Sequence, residues 1–181
     1  MRPSLVRRIA TAAAGARYED LSPEVVAKLK LCLLDFLACA FEARDLPWSR
    51  RAAVMAEREP GAATVLATGV GATVGAAAFA NAVAGHGLVR EDMHAGSVSH
   101  LGVVILPALL ALSERDTVHG CDFIVAAVVG YEAGARFGRA LITPDFARFF
   151  RPTGFTGPIA AACAGSRLVS RDPDLCANAI A

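Results

Sequence analysis

The sequence predicts an all-α fold, a bundle-like helical domain with room for one short extended segment. Three observations carry that expectation. Apolar residues recur at three- and four-residue steps, no stretch shows sustained strand alternation, and Ser, Asp, Pro and Gly fall where helices start and stop. The first helix runs past Arg7 and Arg8. Ser22-Pro23-Glu24 opens the second, with Ser as cap, Pro in the first turn and an acid beside the dipole. Behind it Val25, Val26, Leu29, Leu33, Phe36, Leu37 and Ala40 mark one buried face. Pro47 opens a third helix, which Pro60-Gly61 ends, and residues 63–67 form the short extended piece. A small-residue helix is expected over 72–84, its Ala and Gly positions permitting close backbone approach. Residues 103–114 read as an apolar helix containing Pro107. Gly120-Cys121-Asp122 begins a long one to about Leu141, with Asp122 as cap and Thr143-Pro144 as stop. Residues 157–169 are helical again, and Asp172-Pro173 opens a last helix that reaches Ala181 without a stop signal.

At 181 residues the chain suits one domain, taken here as 1–181. Apolar residues make up 55% and charged residues 19%, more apolar than an average domain. A subunit interface or a missing part of the same molecule would absorb the surplus. The uncapped last helix points the same way, toward a piece of something longer. A net charge of +1 supplies no basic field for nucleic acid. Residues 61–88 hold no Asp, Glu, Lys or Arg, but glycines at 69, 71 and 75 interrupt them, so a buried helix is expected rather than a membrane span. The start Met1-Arg2-Pro3-Ser4 has no apolar run of signal-peptide length. Five cysteines without a CxxC pair read as reduced, buried thiols of a cytoplasmic protein, with Cys32 and Cys39 on one helix face.

Chemistry concentrates in His86-Gly87-Leu88-Val89-Arg90-Glu91-Asp92-Met93-His94-Ala95-Gly96-Ser97-Val98-Ser99-His100, which holds three of the four histidines and two adjacent carboxylates. A loop leaving a buried helix can be shaped and partly desolvated, which moves His and carboxylate groups toward neutrality and suits proton transfer. Glu91 and Asp92 are consecutive and point different ways. Two plainer readings stand beside this one. The loop could simply be solvated, or His86, Glu91, His94 and His100 could hold a metal, although no helix-spaced ligand pair is present. His119 reads as a surface residue, Asp35 as a hydrogen-bonded structural acid, Trp48 as packing, and Glu132 with Arg136 as an (i, i+4) pair.

Residues 88–100, followed by Gly102-Val103-Val104-Ile105-Leu106-Pro107-Ala108-Leu109-Leu110-Ala111-Leu112, resemble the signature of the MmgE/PrpD family. Tyr18-Glu19-Asp20-Leu21, Leu33-Leu34-Asp35, Ala63-Thr64-Val65-Leu66, Val128-Val129-Gly130-Tyr131-Glu132 and Pro152-Thr153-Gly154 fit in order. The resemblance, which includes 2-methylcitrate dehydratase, cis-aconitate decarboxylase and iminodisuccinate epimerase, implies a cofactor-independent lyase or isomerase of small di- or tricarboxylates. It implies a dimer, or pairing with a smaller α+β domain that this chain lacks. By position it makes Glu91, Asp92 and His100 the catalytic candidates, and Arg151, His94, Met93 and Arg90 the substrate-facing set, with no metal.

The departures from the family loop are specific. The first Asp is Val89 here, the aromatic is Arg90, the next acid is Glu91, the Thr is Met93, and Leu101 replaces a Pro. In Phe149-Phe150-Arg151-Pro152-Thr153 an arginine stands where the resemblance puts a histidine. Arginine grips a carboxylate bidentately but does not shuttle protons. A divergent member is therefore expected. The alternatives are a truncated or degenerate paralogue that binds a partner subunit or metabolite without turnover, and a metal-dependent hydrolase.

Overall fold

The structure, a computed structural model, describes residues 3–181. Met1 and Arg2, the start of the segment examined for a signal peptide, lie outside the described residues. The described chain folds into helices α1 (Leu5–Gly15), α2 (Pro23–Glu42), α3 (Pro47–Ala56), α4 (Val74–Gly85), α5 (Gly102–Arg115), α6 (Gly120–Leu141), α7 (Pro144–Phe149), α8 (Thr153–Val169) and α9 (Pro173–Ile180). A two-stranded antiparallel ribbon, β1 (Ala63–Thr64) and β2 (Gly71–Ala72), is the extended piece. The all-α expectation holds. No helix among the described residues is long and apolar enough to cross a membrane.

Local chemistry explains most boundaries. Ser4, Ser22, Thr73, Thr143 and Asp172 each accept a backbone N–H of the helix they precede. Asp122 is not the cap of α6: that position belongs to His119, which makes no capping bond. Asp122 lies inside the first turn and takes Arg171 Nη2 at 3.3 Å, so it serves the dipole and an ion pair instead. Thr143-Pro144 stops α6 as expected, but it also starts α7, because Thr143 caps what Pro144 begins. Gly69 turns the ribbon at φ +76°, a conformation open to glycine at no steric penalty.

The central core joins α2, α5, α6 and α8 through Phe36, Leu101, Ile105, Leu106, Leu109, Ala126, Ala160 and Ala164. α6 meets α8 along Gly130 and Gly134, where an added Cβ would lie 2.8 Å from Ala164 and Ala160 respectively. That absence of side chain is what brings the two axes close. A second, nearly all-alanine core packs α3 and α4 against the ribbon around Val65. Buried Asn81 fastens the ribbon, accepting from Leu66 N and donating to the Thr64 carbonyl at 2.8 Å each. The expected (i, i+4) pair forms, with Arg136 Nε 2.5 Å from Glu132 Oε2. His119 is exposed as read, and Trp48, half exposed, packs its indole edge over Gly87, where an added Cβ would lie 3.1 Å from Nε1. Cys32, Cys39, Cys163 and Cys176 are buried; Cys121, on the outer first turn of α6, is exposed and corrects the expectation of five buried thiols. Part of the apolar surplus stays on the surface, where Leu31, Leu34 and Phe41 line one side of α2.

Candidate active site

The loop 86–101 leaves the C-terminus of α4, crosses the end of α2 and enters α5. Three anchors shape it. Asp35, on α2, accepts the backbone N–H of Asp92 at 2.9 Å, the structural role read from the sequence. His94 and Ser99 close a bridge, His94 N to Ser99 O at 2.9 Å. Thr153, the first residue of α8, accepts from the backbone N–H of His100 at 2.9 Å. Two β-branched residues, Val89 (φ +53°) and Val98 (φ +50°), take the left-handed conformation at its bends. That region tolerates Asn, Asp or Gly far better than Val. At position 89 the resemblance puts an aspartate, so Val89 carries a strain of about 1–3 kcal/mol that an aspartate largely avoids.

This scaffold sends consecutive acids to opposite sides. Glu91 turns inward, its side chain fully buried, between the two histidines that bracket the loop. Its Oε1 contacts Nδ1 of His86 and lies 2.9 Å from Nδ1 of His100, whose ring is 13% exposed. The imidazoles meet edge to face with centroids 5.1 Å apart. Arg151, in the turn between α7 and α8, brings Nη2 to 3.3 Å from Nε2 of His86. Phe155 packs edge-on against Phe146 and Phe150, which tilt against each other, around that turn. The structure brings Glu91, His100 and Arg151 together, and His86, weighed in the sequence only as a metal ligand, joins them.

Asp92 faces the other way. It accepts from Tyr131 Oη at 3.0 Å and lines an open groove of about 410 Å³ with Met93, His94, Cys32 and Lys28. Met93 is 52% exposed, and His94 spends its Nδ1 on Ser97 Oγ at 2.8 Å. Arg90 pairs with Glu42 at 2.7 Å on the surface. The structure therefore divides the predicted site set: Glu91, His100 and Arg151 on one side, Asp92, Met93 and His94 on the other, and Arg90 apart from both.

Burial raises the Asp92 carboxyl above its ordinary value. The Tyr131 hydrogen bond opposes that, and the charges of Asp35 and Glu91 add to it. Burial likewise holds the Tyr131 phenol protonated, well above its usual range. Because folding favours the protonated Asp92, the unfolded chain releases that proton first, at about pH 4. Stability contributed here is then present below that pH and declines as pH rises through the folded value. Asp92→Asn keeps an acceptor for Tyr131 and removes the charge. Its Tm relative to wild type is expected to climb as pH rises from about 4. Parallel Tm profiles for the two proteins would refute the assignment.

The donor atoms of His86, Glu91 and His100 lie within 4.8 Å of one another, and these residue types suit zinc or manganese. As they stand they are drawn closer than ligands on one zinc: tetrahedral ligands about 2.05 Å from zinc stand about 3.3 Å apart, whereas His100 Nδ1 is 2.9 Å from Glu91 Oε1 and His86 Nδ1 contacts the same oxygen. A guanidinium against His86 adds a positive charge beside any cation. In this arrangement Glu91 Oε1 bonds His86 Nδ1, and His94 takes no part in the cluster.

Comparison with known proteins places this arrangement in context. The family model described as the MmgE/PrpD N-terminal domain matches residues 7–181. A cis-aconitate decarboxylase of Aspergillus terreus is 32% identical over 170 residues, covering 90% of this chain and 35% of that protein. A cis-aconitate decarboxylase-like protein, oryM, of Aspergillus oryzae is 34% identical over 165 residues, covering 86% of this chain and 34% of that protein. The chain spans about a third of the length of the curated relatives it matches.

Proposed function

Since the chain belongs to the MmgE/PrpD family, we propose that it forms the helical part of a lyase or isomerase acting on a small di- or tricarboxylate, with no cofactor. The observation that carries this reading is one buried carboxylate set between two imidazoles beside a guanidinium. Such a group can do proton chemistry next to a carboxylate. His100 takes a proton from the carbon adjacent to the substrate carboxylate, and Glu91 orients its ring and balances the imidazolium that forms. Arg151 uses one of its five N–H donors on His86, and the others remain for a bidentate grip on the substrate. In the decarboxylating variant no C–H proton is removed. The bond to the carboxylate breaks with its electrons staying on carbon, and carbon dioxide leaves. His100, starting as the imidazolium, gives that carbon a proton and is reprotonated from solvent. The relatives' names make cis-aconitate the first substrate to test and decarboxylation the first reaction. In dehydration of a 2-methylcitrate-like acid His100 takes the C–H proton, and the C–O bond breaks as the double bond forms. The imidazolium passes its proton to the departing hydroxyl, which leaves as water.

The test is thermal unfolding against cis-aconitate, citrate, 2-methylcitrate and itaconate, with product NMR to separate loss of carbon dioxide from loss of water. Ligand at about a hundredfold over Kd stabilises the native state by about 2.7 kcal/mol. The expected result is a shift with one acid that Arg151→Met abolishes. No shift with any acid would discard the carboxylate site on this chain and favour a paralogue that binds a partner without turnover.

A further inference from the structure

The two histidines on Glu91 are not equivalent. His86 ends α4 and His100 precedes α5, so each approaches the carboxylate from a different helix. Arginine offers donors only. With Arg151 Nη2 at 3.3 Å, the Nε2 of His86 has a single role left, that of acceptor. The ring proton of His86 therefore sits on Nδ1, where it donates to Glu91 Oε1. His100 lies differently. Its Nδ1 is near the same oxygen but out of line with it, and is buried without a hydrogen-bond partner. Glu91 Oε2 is likewise buried and unpartnered. An orphan donor and an orphan acceptor thus stand in one cluster, and leaving either unpaired is unfavourable. The last torsion of a glutamate is soft, so a small turn of the carboxylate joins them while Oε1 stays with His86.

We propose that His86 is a positioning residue, held by Arg151 as the Nδ1–H tautomer, which occupies one oxygen of Glu91 and reserves the other for His100. Both nitrogens of His86 are then committed, and His100 alone remains to exchange a proton with a bound molecule. Glu91 and Arg151 touch the pair; Cys39 of α2 lies within charge range of Glu91, and Asp92, turned to the far side of the loop, within that of His100. This inference rests on reading His100 as the acid–base group, but its test does not.

The test is long-range nitrogen–proton NMR of the histidine rings in the chain as it stands, near neutral pH. Wild type is expected to show His86 protonated at Nδ1 and bare at Nε2. Arg151→Met should replace that single pattern with a mixture of tautomers. His86→Asn keeps an N–H donor toward Glu91 and should leave the His100 pattern close to wild type, whereas His86→Ala should move it. A wild-type His86 protonated at Nε2, singly or on both nitrogens, overturns the proposal even if no variant folds. So does a His86 pattern indifferent to Arg151→Met. Stoichiometric zinc uptake that moves both histidine patterns together also overturns it, by making the cluster a metal centre. Failure of every acid to bind, with the His86 tautomer as stated, would reject the carboxylate reading alone.

Discussion

His100→Ala, in a preparation of the protein that turns over a carboxylate substrate, is expected to lower kcat by about two to four orders of magnitude. The loss should fall on kcat more than on KM, because the ring is placed for proton transfer while Arg151 is placed for binding. A positioned acid–base group contributes through a ring held at one angle, and three features hold this one. Its backbone N–H is bound to Thr153, its ring edge packs on His86, and its Nδ1 side faces Glu91. Removing the ring also leaves Glu91 buried with His86 as its one ion-pair partner among the described residues, so some loss of stability accompanies the loss of rate. Denaturant unfolding of the variant separates the two effects. A decrease in kcat below about tenfold, in a variant that remains folded, would remove His100 from the mechanism.

Much of this was legible in the sequence, for identifiable reasons. Helix starts were readable where capping is local: Ser22-Pro23 and Asp172-Pro173 act on their own backbone, and the structure uses them as such. Asp122 misled because Gly120 opens α6 two residues earlier and a distant arginine, Arg171, claims the carboxylate. α7 escaped notice because six residues show no periodicity, and the start signal at Thr143-Pro144 doubles as a stop signal. In the loop, the density of acids and histidines marked the place, but not the direction of each side chain. Neighbouring Glu91 and Asp92 had to diverge; which of them turned inward depended on Tyr131, thirty-nine residues from Asp92, and on Asp35 in α2. His86 carried a usable signal, a histidine five residues before a glutamate across a helix end, yet its link to Arg151 spans sixty-five residues of chain. Contacts of that range come from packing, which no local pattern encodes.

Gly102→Ala is expected to be the substitution that couples fold and site most directly. Gly102 is the first residue of α5 and is buried where the loop enters the core. A Cβ there would lie 2.1 Å from Asp92 Oδ1 and 2.5 Å from Tyr131 Oη, so one or both of those side-chain ends must move. Either the Tyr131–Asp92 hydrogen bond breaks or the loop backs away from α5. Backing away strains the Asp35 contact to Asp92 N and shifts the neighbouring Glu91 between its histidines. Overpacking of this kind costs about 1–3 kcal/mol, read as a lower midpoint in denaturant. The same variant should lose the ligand-induced Tm shift, because the displaced loop carries Glu91 and His100 away from their register with Arg151. Gly120→Ala is the matched comparison. It also begins a helix, but nothing lies within 4 Å of its added Cβ, so it should stabilise by about 0.4–1 kcal/mol through the unfolded chain. Equal midpoints for the two variants would show that the loop 86–101 yields freely, and a cluster that depends on its register could not then be preorganised for catalysis.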